Sequence, residues 1–144
     1  MKLLVLNGPN LNMLGIREKN IYGSEDYESL EKYIKEICEK KNIEVEVFQT
    51  NHEGILVDKI HQAYENFDGI VINPAAYTHT SIAILDALKA VMLPAVEVHL
   101  SDIYMREEFR HYSYPAKACL TSFYGLGFEG YKKAIEFLED NINK

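Results

Sequence analysis

The stretch Leu3-Leu-Val-Leu-Asn-Gly-Pro-Asn10 is an apolar run that stops at turn-forming residues. The run shows no alternation of apolar and polar residues, which is typical of a strand buried on both faces of a parallel sheet. A second run of this kind, Gly69-Ile-Val-Ile-Asn73, stops at Pro74. Because a parallel sheet needs cover on both faces, the two runs predict an α/β protein with helices on either side.

The rest of the chain supplies partners for those strands. Further strands are predicted at three places, and the first alternates apolar residues with glutamate, as an edge strand does: 43–48, 95–98 and 118–123. Apolar residues recur at helical spacing in four segments: 27–41, 55–67, about 81–91 and about 130–141. With right-handed crossovers, this order gives a flavodoxin-like, doubly wound five-stranded parallel sheet of strand order 2-1-3-4-5.

Composition and charge narrow the class of protein. The chain has 144 residues, of which 47 % are hydrophobic and 26 % charged, so we expect one globular domain over 1–144. A net charge of -7 argues against a nucleic-acid partner, which needs a basic face. The first apolar run is too short for a signal peptide, and the sequence has no apolar stretch of membrane-spanning length. We therefore expect a cytoplasmic protein without a membrane partner.

The sequence offers no pattern for a bound metal or a disulfide. Cys38 falls in a helical pattern and Cys119 in a strand-like run, and neither has a partner at metal-ligand spacing. Two core thiols in a reducing compartment are therefore expected. No histidine pair has zinc-binding spacing, and no carboxylate cluster suits magnesium.

Polar side chains follow the first, third and fourth strands of the predicted sheet. The segments 7–12, 73–81 and 99–110 are rich in Asn, His, Ser, Thr and Arg. In a doubly wound sheet, ligands bind beyond the carboxyl ends of the strands, close to the point where the winding reverses. The three segments therefore predict an active site on one rim of the sheet.

The loop after the first strand is not a phosphate loop, because it lacks the glycine pattern and the lysine of such loops. Asn7 and Asn12 are interpreted as turn residues whose side chains bond their own backbone. Asn10 lies furthest past the strand, and two interpretations of it are equally good. Its amide could donate to a ligand or a water, or it could serve the turn alone.

Two histidines on the rim are candidates for chemistry. Glu97 and His99 are two apart on a strand, so they share a face, and the carboxylate can fix the tautomer of the imidazole. A satisfied structural pair is the alternative, but the end of a strand on the rim favours an acid–base pair. His79 is expected at a helix N-terminus, where the dipole favours a neutral imidazole that can bond substrate hydroxyls. Its alternative is a role in the turn.

A pair of arginines and a pair formed by an arginine and a tyrosine complete the candidates. Arg106 and Arg110 are four apart, which predicts one face of a short helix, with surface ion pairs as the alternative. Arg17 and Tyr22 lie in a long loop, about 16–24, which favours a lid. A tyrosine acts as a base at neutral pH only if its pKa falls from about 10 to near 7, roughly 4 kcal/mol. A guanidinium at about 4 Å supplies interaction energy of that order.

These segments together resemble the type II 3-dehydroquinate dehydratases, and they span nearly the whole chain in that family's order and spacing. The motifs that carry the resemblance are Leu6-Asn-Gly-Pro-Asn-Leu-Asn-Met-Leu-Gly15, Arg17-Glu18, Tyr22-Gly23, Asn73-Pro-Ala-Ala-Tyr-Thr-His-Thr-Ser81, Asp86-Ala87, Glu97-Val-His-Leu-Ser101, Arg106-Glu-Glu-Phe-Arg110, and Gly125-Leu-Gly127 with Gly130-Tyr131. The resemblance implies a hydro-lyase of the shikimate pathway, which leads to chorismate and the aromatic amino acids. It implies conversion of 3-dehydroquinate into 3-dehydroshikimate and water through an enolate, without cofactor or metal.

The resemblance also assigns the catalytic roles. Tyr22, as a phenolate, removes the proton next to the ketone, and the resemblance implies that two arginines lower its pKa: Arg17 and Arg106. Asn10 holds a water that stabilises the enolate, an electrostatic role of the oxyanion-hole type. His99, oriented by Glu97, protonates the departing hydroxyl.

Substrate binding and assembly follow from the same resemblance. Asn73 and the backbone around Leu100 and Ser101 bind the carboxylate, while His79 and Arg110 bind ring hydroxyls. The residues alone would assign both Arg106 and Arg110 to binding of the substrate carboxylate. Asp86 reaches the site of a neighbouring subunit, in a homododecamer assembled from trimers.

A few positions depart from the family's pattern, and two of them, Leu85 and Asp102, concern subunit contacts rather than the reaction. Met13 and Ile16 lie where the lid varies. Leu85 stands where members often have Arg, and Asp102 and Tyr104 stand where Asn and His are common.

Three other classes of protein fit the sequence less well. A flavodoxin-like binding protein without catalysis would need a Ser/Thr/Gly-rich phosphate loop at 7–12, and a receiver domain would need an acidic pair there. A dehydratase that forms a Schiff base would need a lysine on the rim, and the three rim segments contain none as far as Ser101.

Overall fold

The computed structural model describes residues 1–16 and 25–143. Within them the strands are β1 (Lys2–Asn7), β2 (Glu44–Gln49), β3 (Gly69–Asn73), β4 (Ala95–His99) and β5 (Thr121–Tyr124). The helices are α1 (Tyr27–Lys40), α2 (Glu53–Ala63), α3 (Ile82–Val91) and α4 (Glu129–Ile142). Apart from Ile16, the predicted lid lies outside the described residues, and so do Arg17 and Tyr22.

The five strands form one parallel sheet in the order β2-β1-β3-β4-β5, so the predicted doubly wound fold is confirmed. The winding reverses between β1 and β3, where Asn7 and Asn73 are partners in register at the carboxyl ends. In a sheet of this kind a crevice opens at that point.

Helices cover both faces of the sheet. Leu3 and Val5 of β1 point into one core cluster, which holds buried residues of α1 and α4. Leu4 and Leu6 point into the other, which holds buried residues of α2 and α3. Each leucine buried in this way stabilises the fold by roughly 1.5–3 kcal/mol. Burial on both faces explains why β1 shows no alternation.

The beginnings of α1 and α3 follow local capping chemistry. The Ser81 hydroxyl accepts a hydrogen bond of 2.9 Å from the Ile84 N–H, which selects Ser81 over Thr80 as the cap of α3. Asp26 caps α1 by accepting a bond of 2.8 Å from the Ser29 N–H. Such side-chain acceptors satisfy N–H groups that the helix itself leaves unbonded.

The predicted start of the fifth strand is wrong. A 3₁₀ helix spans Pro115–Ala118, and β5 begins only at Thr121. Proline favours the first position of a helical turn, because its ring already fixes φ at a helical value. Pro115 occupies that position here. Cys119 therefore lies before the strand, and both it and Cys38 are free thiols.

Two further observations concern the helices. No described helix is long and apolar enough to cross a membrane. The predicted helix over 55–67 ends at Ala63, because Glu65 adopts a left-handed backbone and the Asn66 side chain donates to the Gln62 carbonyl at 2.7 Å.

Candidate active site

A cavity opens at the carboxyl ends of β1, β3 and β4, where the sequence predicted the site. Among the predicted residues, those that line it are Asn10, Asn73, His79, His99, Leu100, Ser101, Arg106 and Arg110. Apolar residues of the rim, among them Leu14 and Ile103, complete its wall. The cavity thus combines amide, imidazole, hydroxyl and guanidinium groups, which suits a small ligand with hydroxyl and carboxylate groups.

The turn after β1 is held against β3, and this positions Asn10. The Gly8 N–H donates to the Asn73 carbonyl at 2.8 Å, and a Cβ on Gly8 would lie 2.5 Å from the Pro74 oxygen. Asn10 has a left-handed backbone (φ 71°), which asparagine tolerates, and its N–H donates to Asn51 Oδ1 at 3.0 Å. The backbone of Asn10 therefore serves the turn while its exposed side chain lines the cavity.

His99 and Glu97 share one face of β4, as the spacing predicted. Both are buried, with 5 % and 1 % of their surfaces exposed. His99 Nε2 lies 3.5 Å from Glu97 Oε2, which is within ion-pair distance. The contact does not meet the geometry of a hydrogen bond, and Nε2 has no other hydrogen-bond partner among the described residues. With Nε2 turned toward the carboxylate, Nδ1 is the ring nitrogen available to a ligand in the cavity.

Two serines hold the Glu97 carboxylate in place. The Ser113 hydroxyl donates to Oε1 at 2.6 Å, and the Ser122 hydroxyl donates to Oε2 at 3.2 Å. Burial alone would raise the pKa of Glu97, but the His99 contact and the two serine bonds outweigh burial and lower it. Sequence reasoning missed both serines. Ser122 is the β5 partner of Glu97 in register, and pairing register cannot be read from one sequence.

The tautomer of His79 follows from a single contact. Its Nδ1 lies 2.8 Å from the Tyr112 carbonyl oxygen, which can only accept, so Nδ1 carries the hydrogen. In the neutral ring, Nε2 is then a hydrogen-bond acceptor. Burial lowers the pKa of His79, with smaller lowering contributions from His99 and Arg110. The direction is the expected one, but the cause is burial rather than a helix dipole, because His79 ends a 3₁₀ turn before the α3 cap.

The prediction that Arg106 and Arg110 share one face of a short helix is wrong. Arg106 has an extended backbone between two short 3₁₀ helices, and Glu107 is extended as well (φ -58°, ψ 147°). Glu107 Oε1 lies 3.9 Å from the Nε of Arg106 and 3.0 Å from that of Arg110. The ion pairs considered as the alternative therefore exist, but Glu107 is half-exposed and they contribute little stability. Both arginines still line the cavity.

The interpretation of Asn7 as a residue that bonds its own backbone is wrong. Asn7 is fully buried, and its Oδ1 accepts a bond of 2.6 Å from the Tyr131 hydroxyl. Asn12 Oδ1 accepts a bond of 3.4 Å from Gln49 Nε2 rather than from its own backbone. Tyr131 entered the sequence argument only as part of a motif, because an apolar position in a helix is ordinarily a packing residue.

Asp86 is exposed on α3 and is absent from the lining of its own chain's cavity. Leu85 beside it is buried, and Asp102 Oδ1 accepts from the Tyr104 N–H at 2.9 Å. Within residues 1–16 and 25–143, no group of histidine, cysteine and acidic side chains could hold a metal ion.

The fold and the cavity define a class of protein: a doubly wound α/β enzyme that works by acid–base chemistry on a small polar ligand. The comparisons with known proteins define the family. A family model described as class II dehydroquinase matches residues 1–139. The chain therefore belongs to the class II dehydroquinase family.

Individual relatives agree with this family over the whole chain. A 3-dehydroquinate dehydratase of Clostridium perfringens is 55 % identical over 143 residues, covering 99 % of this chain and 98 % of that protein. The crystal structure of a type II dehydroquinase from Butyrivibrio crossotus is 57 % identical, with a TM-score of 0.94 and coverage of 96 % and 97 %. A type II dehydroquinase from Propionibacterium acnes is 43 % identical, with a TM-score of 0.92 and coverage of 96 % of each chain. The resemblance and the dehydratase assignment predicted from the sequence are confirmed, and the binding-protein alternative is not favoured.

Proposed function

We propose that the chain removes water from 3-dehydroquinate to give 3-dehydroshikimate, by acid–base elimination through an enolate. The observation that carries the mechanism is the buried Glu97–His99 pair on the cavity rim, facing arginine, asparagine and imidazole groups. The proposed elimination needs no metal or cofactor, because the acid and the base are both side chains.

The first step is removal of the proton next to the ketone. Tyr22 is the proposed base, with Arg17 and Arg106 favouring its phenolate. Arg106 lines the cavity, while Tyr22 and Arg17 belong to the part of the chain that the structure does not describe. The electron pair moves onto the ketone oxygen, and a water held by Asn10 donates a hydrogen bond to the resulting enolate.

The second step is loss of the hydroxyl. The enolate collapses, the C–O bond breaks, and His99 protonates the leaving oxygen so that it departs as water. Glu97, kept ionised by Ser113 and Ser122, stabilises the positive charge on His99 before the transfer. Its buried position strengthens that interaction, because solvent screens it little.

Binding groups surround the reacting carbons. Asn73 and the backbone around Leu100 and Ser101 hold the carboxylate, and Arg110 holds ring hydroxyls. His79 Nε2 accepts from a ring hydroxyl, because its Nδ1 hydrogen is bound to the Tyr112 carbonyl.

The proposal extends to assembly and setting. The chain is one catalytic domain over 1–144 with a lid at about 16–24, and twelve copies assemble from trimers, with Asp86 reaching a neighbouring site. We place the reaction in the cytoplasm, in the shikimate pathway toward aromatic amino acids. The exposed position of Asp86, away from its own cavity, supports a role toward another copy.

A direct assay tests the function. Purified protein with a chelator and no added cofactor should convert 3-dehydroquinate to a product with the ultraviolet absorbance of a conjugated enone. His99→Ala serves as the control and should abolish turnover. No absorbance change with the unaltered protein would contradict the proposal, and loss of activity on borohydride treatment with substrate would point to a Schiff base instead.

A further inference from the structure

Three buried polar side chains meet beneath the cavity, at the point where the winding of the sheet reverses. Asn7 ends β1, Asn73 ends β3, and Tyr131 lies in the first turn of α4. Asn7 and Tyr131 have no exposed surface, and Asn73 is 3 % exposed. Buried polar groups destabilise a fold unless they are hydrogen-bonded, so the bonds among these three are constrained.

The direction of each bond can be deduced. The Ala75 N–H lies 3.1 Å from Asn73 Oδ1 and can only donate, which fixes the amide oxygen of Asn73. Asn73 Nδ2 then faces the Tyr131 hydroxyl and donates to it at 3.0 Å. The Tyr131 hydroxyl must therefore send its own hydrogen to Asn7 Oδ1, 2.6 Å away. Burial raises the pKa of Tyr131, so that hydrogen stays in place.

This arrangement leaves one Asn73 hydrogen for the cavity. A side-chain amide has two N–H groups, and Tyr131 takes one of them. Asn73 lines the cavity, so the second N–H is the one that a ligand can meet. We propose that Tyr131 is a positioning residue for substrate binding, because its hydroxyl holds the Asn73 amide in the orientation that offers this N–H to the substrate carboxylate.

The inference deepens the proposed function and rests on it, since Asn73 meets a carboxylate only if the substrate has one. Without the Tyr131 hydroxyl, the amide loses one of its two fixed partners and can turn. A hydrogen bond to a carboxylate is stronger than one between neutral groups, so its loss weakens binding measurably. The carboxylate sits on the carbon that loses the hydroxyl, but it keeps the same charge in the substrate and throughout the elimination. The Asn73 hydrogen bond is therefore made equally in the ground state and in the transition state, and catalysis in the bound state should change little.

The test is Tyr131→Phe, which removes only the hydroxyl. We expect the KM for 3-dehydroquinate to rise about tenfold while kcat stays within about twofold, the pattern expected when binding shared by the substrate and the transition state is lost. The matched control is Tyr27→Phe. Tyr27 is half-buried and its hydroxyl accepts from Asn7 Nδ2 at 3.4 Å, but it makes no hydrogen bond to Asn73. Its removal should leave KM within about twofold.

A double-mutant cycle separates positioning from general loosening. If Tyr131 acts through Asn73, then Asn73→Ala and Asn73→Ala with Tyr131→Phe should have the same KM. An unchanged KM in Tyr131→Phe overturns the inference, and so does an equal rise in Tyr27→Phe or additive effects in the double variant.

If Tyr131→Phe does not fold, as judged by its thermal melt, Asn7→Ala tests the same chain of bonds by removing the acceptor of the Tyr131 hydrogen. A raised KM in Asn7→Ala supports the inference, and an unchanged KM overturns it. If the unaltered protein has no activity on 3-dehydroquinate, the proposed function is wrong. If the unaltered protein is active and Tyr131→Phe has an unchanged KM, the proposed function stands and only the inference about Tyr131 is wrong.

Discussion

Glu97 carries a negative charge in a place almost without water. Its carboxylate is 1 % exposed, and an isolated charge there would be strongly unfavourable. Three partners compensate for the lost hydration: Ser113, Ser122 and His99. Because removing one partner of a buried charge leaves the charge uncompensated, each of these contacts affects both stability and chemistry.

The pH dependence of stability should reveal this carboxylate. The pKa of Glu97 lies below its ordinary value of 4.5, so its stabilising contribution is present above pH 4.5 and is lost as the pH falls through the lowered pKa. Glu97→Gln should be less stable than the unaltered protein at pH 7, and the difference should shrink below pH 4.5. Urea unfolding over this range measures it. Exposed Glu108→Gln is the control, and a gap for Glu97→Gln that stays constant down to acidic pH would contradict the argument.

Ser113 should matter for turnover although it does not line the cavity. Its hydroxyl makes the shortest bond to Glu97, at 2.6 Å, and also accepts from the Ala116 N–H at 3.1 Å. In Ser113→Ala, we expect kcat to fall about tenfold with little change in KM, because the variant loses a bond to Glu97, the carboxylate that orients the proposed acid His99. Steady-state kinetics beside exposed Ser29→Ala decides it. A normal kcat would show that Ser122 alone suffices to hold Glu97.

Helix α3 begins directly after the cavity segment, and its cap can be tested by a neighbouring pair of residues. Ser81 caps the helix and is buried, while Thr80 is exposed. Ser81→Ala should reduce the free energy of unfolding by about 1 kcal/mol, and Thr80→Ala should change it by much less. Denaturant titration of the two variants measures the difference. Equal losses would mean that the hydroxyl of Ser81 is not the cap.

The contact between the β1 and β3 turns can be tested at Gly8. A Cβ there would lie 2.5 Å from the Pro74 carbonyl oxygen, and backbone cannot move aside as a flexible side chain can. Gly8→Ala should therefore destabilise the protein by about 1–3 kcal/mol and disturb the Asn10 turn. Gly54→Ala in α2 meets nothing within 4 Å, and we expect it to be neutral or stabilising by up to about 1 kcal/mol. A harmless Gly8→Ala would contradict the close approach.

The elements show which local signals were sufficient. Doubly buried strands such as β3 could be predicted from the sequence because their apolar runs end at turn residues within one or two positions. The start of β5 could not, since an apolar run also fits the 3₁₀ helix that begins at Pro115. The arginine spacing suggested a helix, but the extended Glu107 interrupts it, and no pattern in the sequence marks that break.

The position of the site in the fold could be predicted from the sequence, but the individual contacts within it could not. Topology alone brings the ends of β1, β3 and β4 to one rim, so the polar segments after them had to meet. The side chains that hold these residues come from other elements. Ser122 of β5 bonds Glu97, and Tyr131 of α4 bonds Asn73, which lies 58 positions earlier in the chain. Such pairings depend on register and helix rotation, which the chain's local pattern does not encode.

At the scale of the whole molecule, Asp86 is the residue whose proposed role one chain cannot fulfil. It is exposed on α3 and does not line its own chain's cavity. In a closed symmetric assembly, each copy can present the same surface to a neighbour's site. Asp86→Ala should therefore lower activity while the Glu97–His99 pair of the same chain stays intact.

A complementation experiment tests whether sites are shared between copies. Asp86→Ala and His99→Ala are each expected to be nearly inactive, the first lacking the group it gives to a neighbour and the second lacking its own acid. If the two are unfolded together in equal amounts and refolded, about a quarter of the sites combine an intact His99 with an intact Asp86 from the neighbouring chain. Activity should then return to about a quarter of the unaltered level, measured beside each variant refolded alone and beside the two refolded separately and then mixed. Variants that are refolded separately and assayed directly after mixing should show no gain, because chains already assembled would have to exchange first. If co-refolding also fails while the unaltered protein recovers fully, Asp86 acts within its own chain, and sharing of the site between copies is excluded.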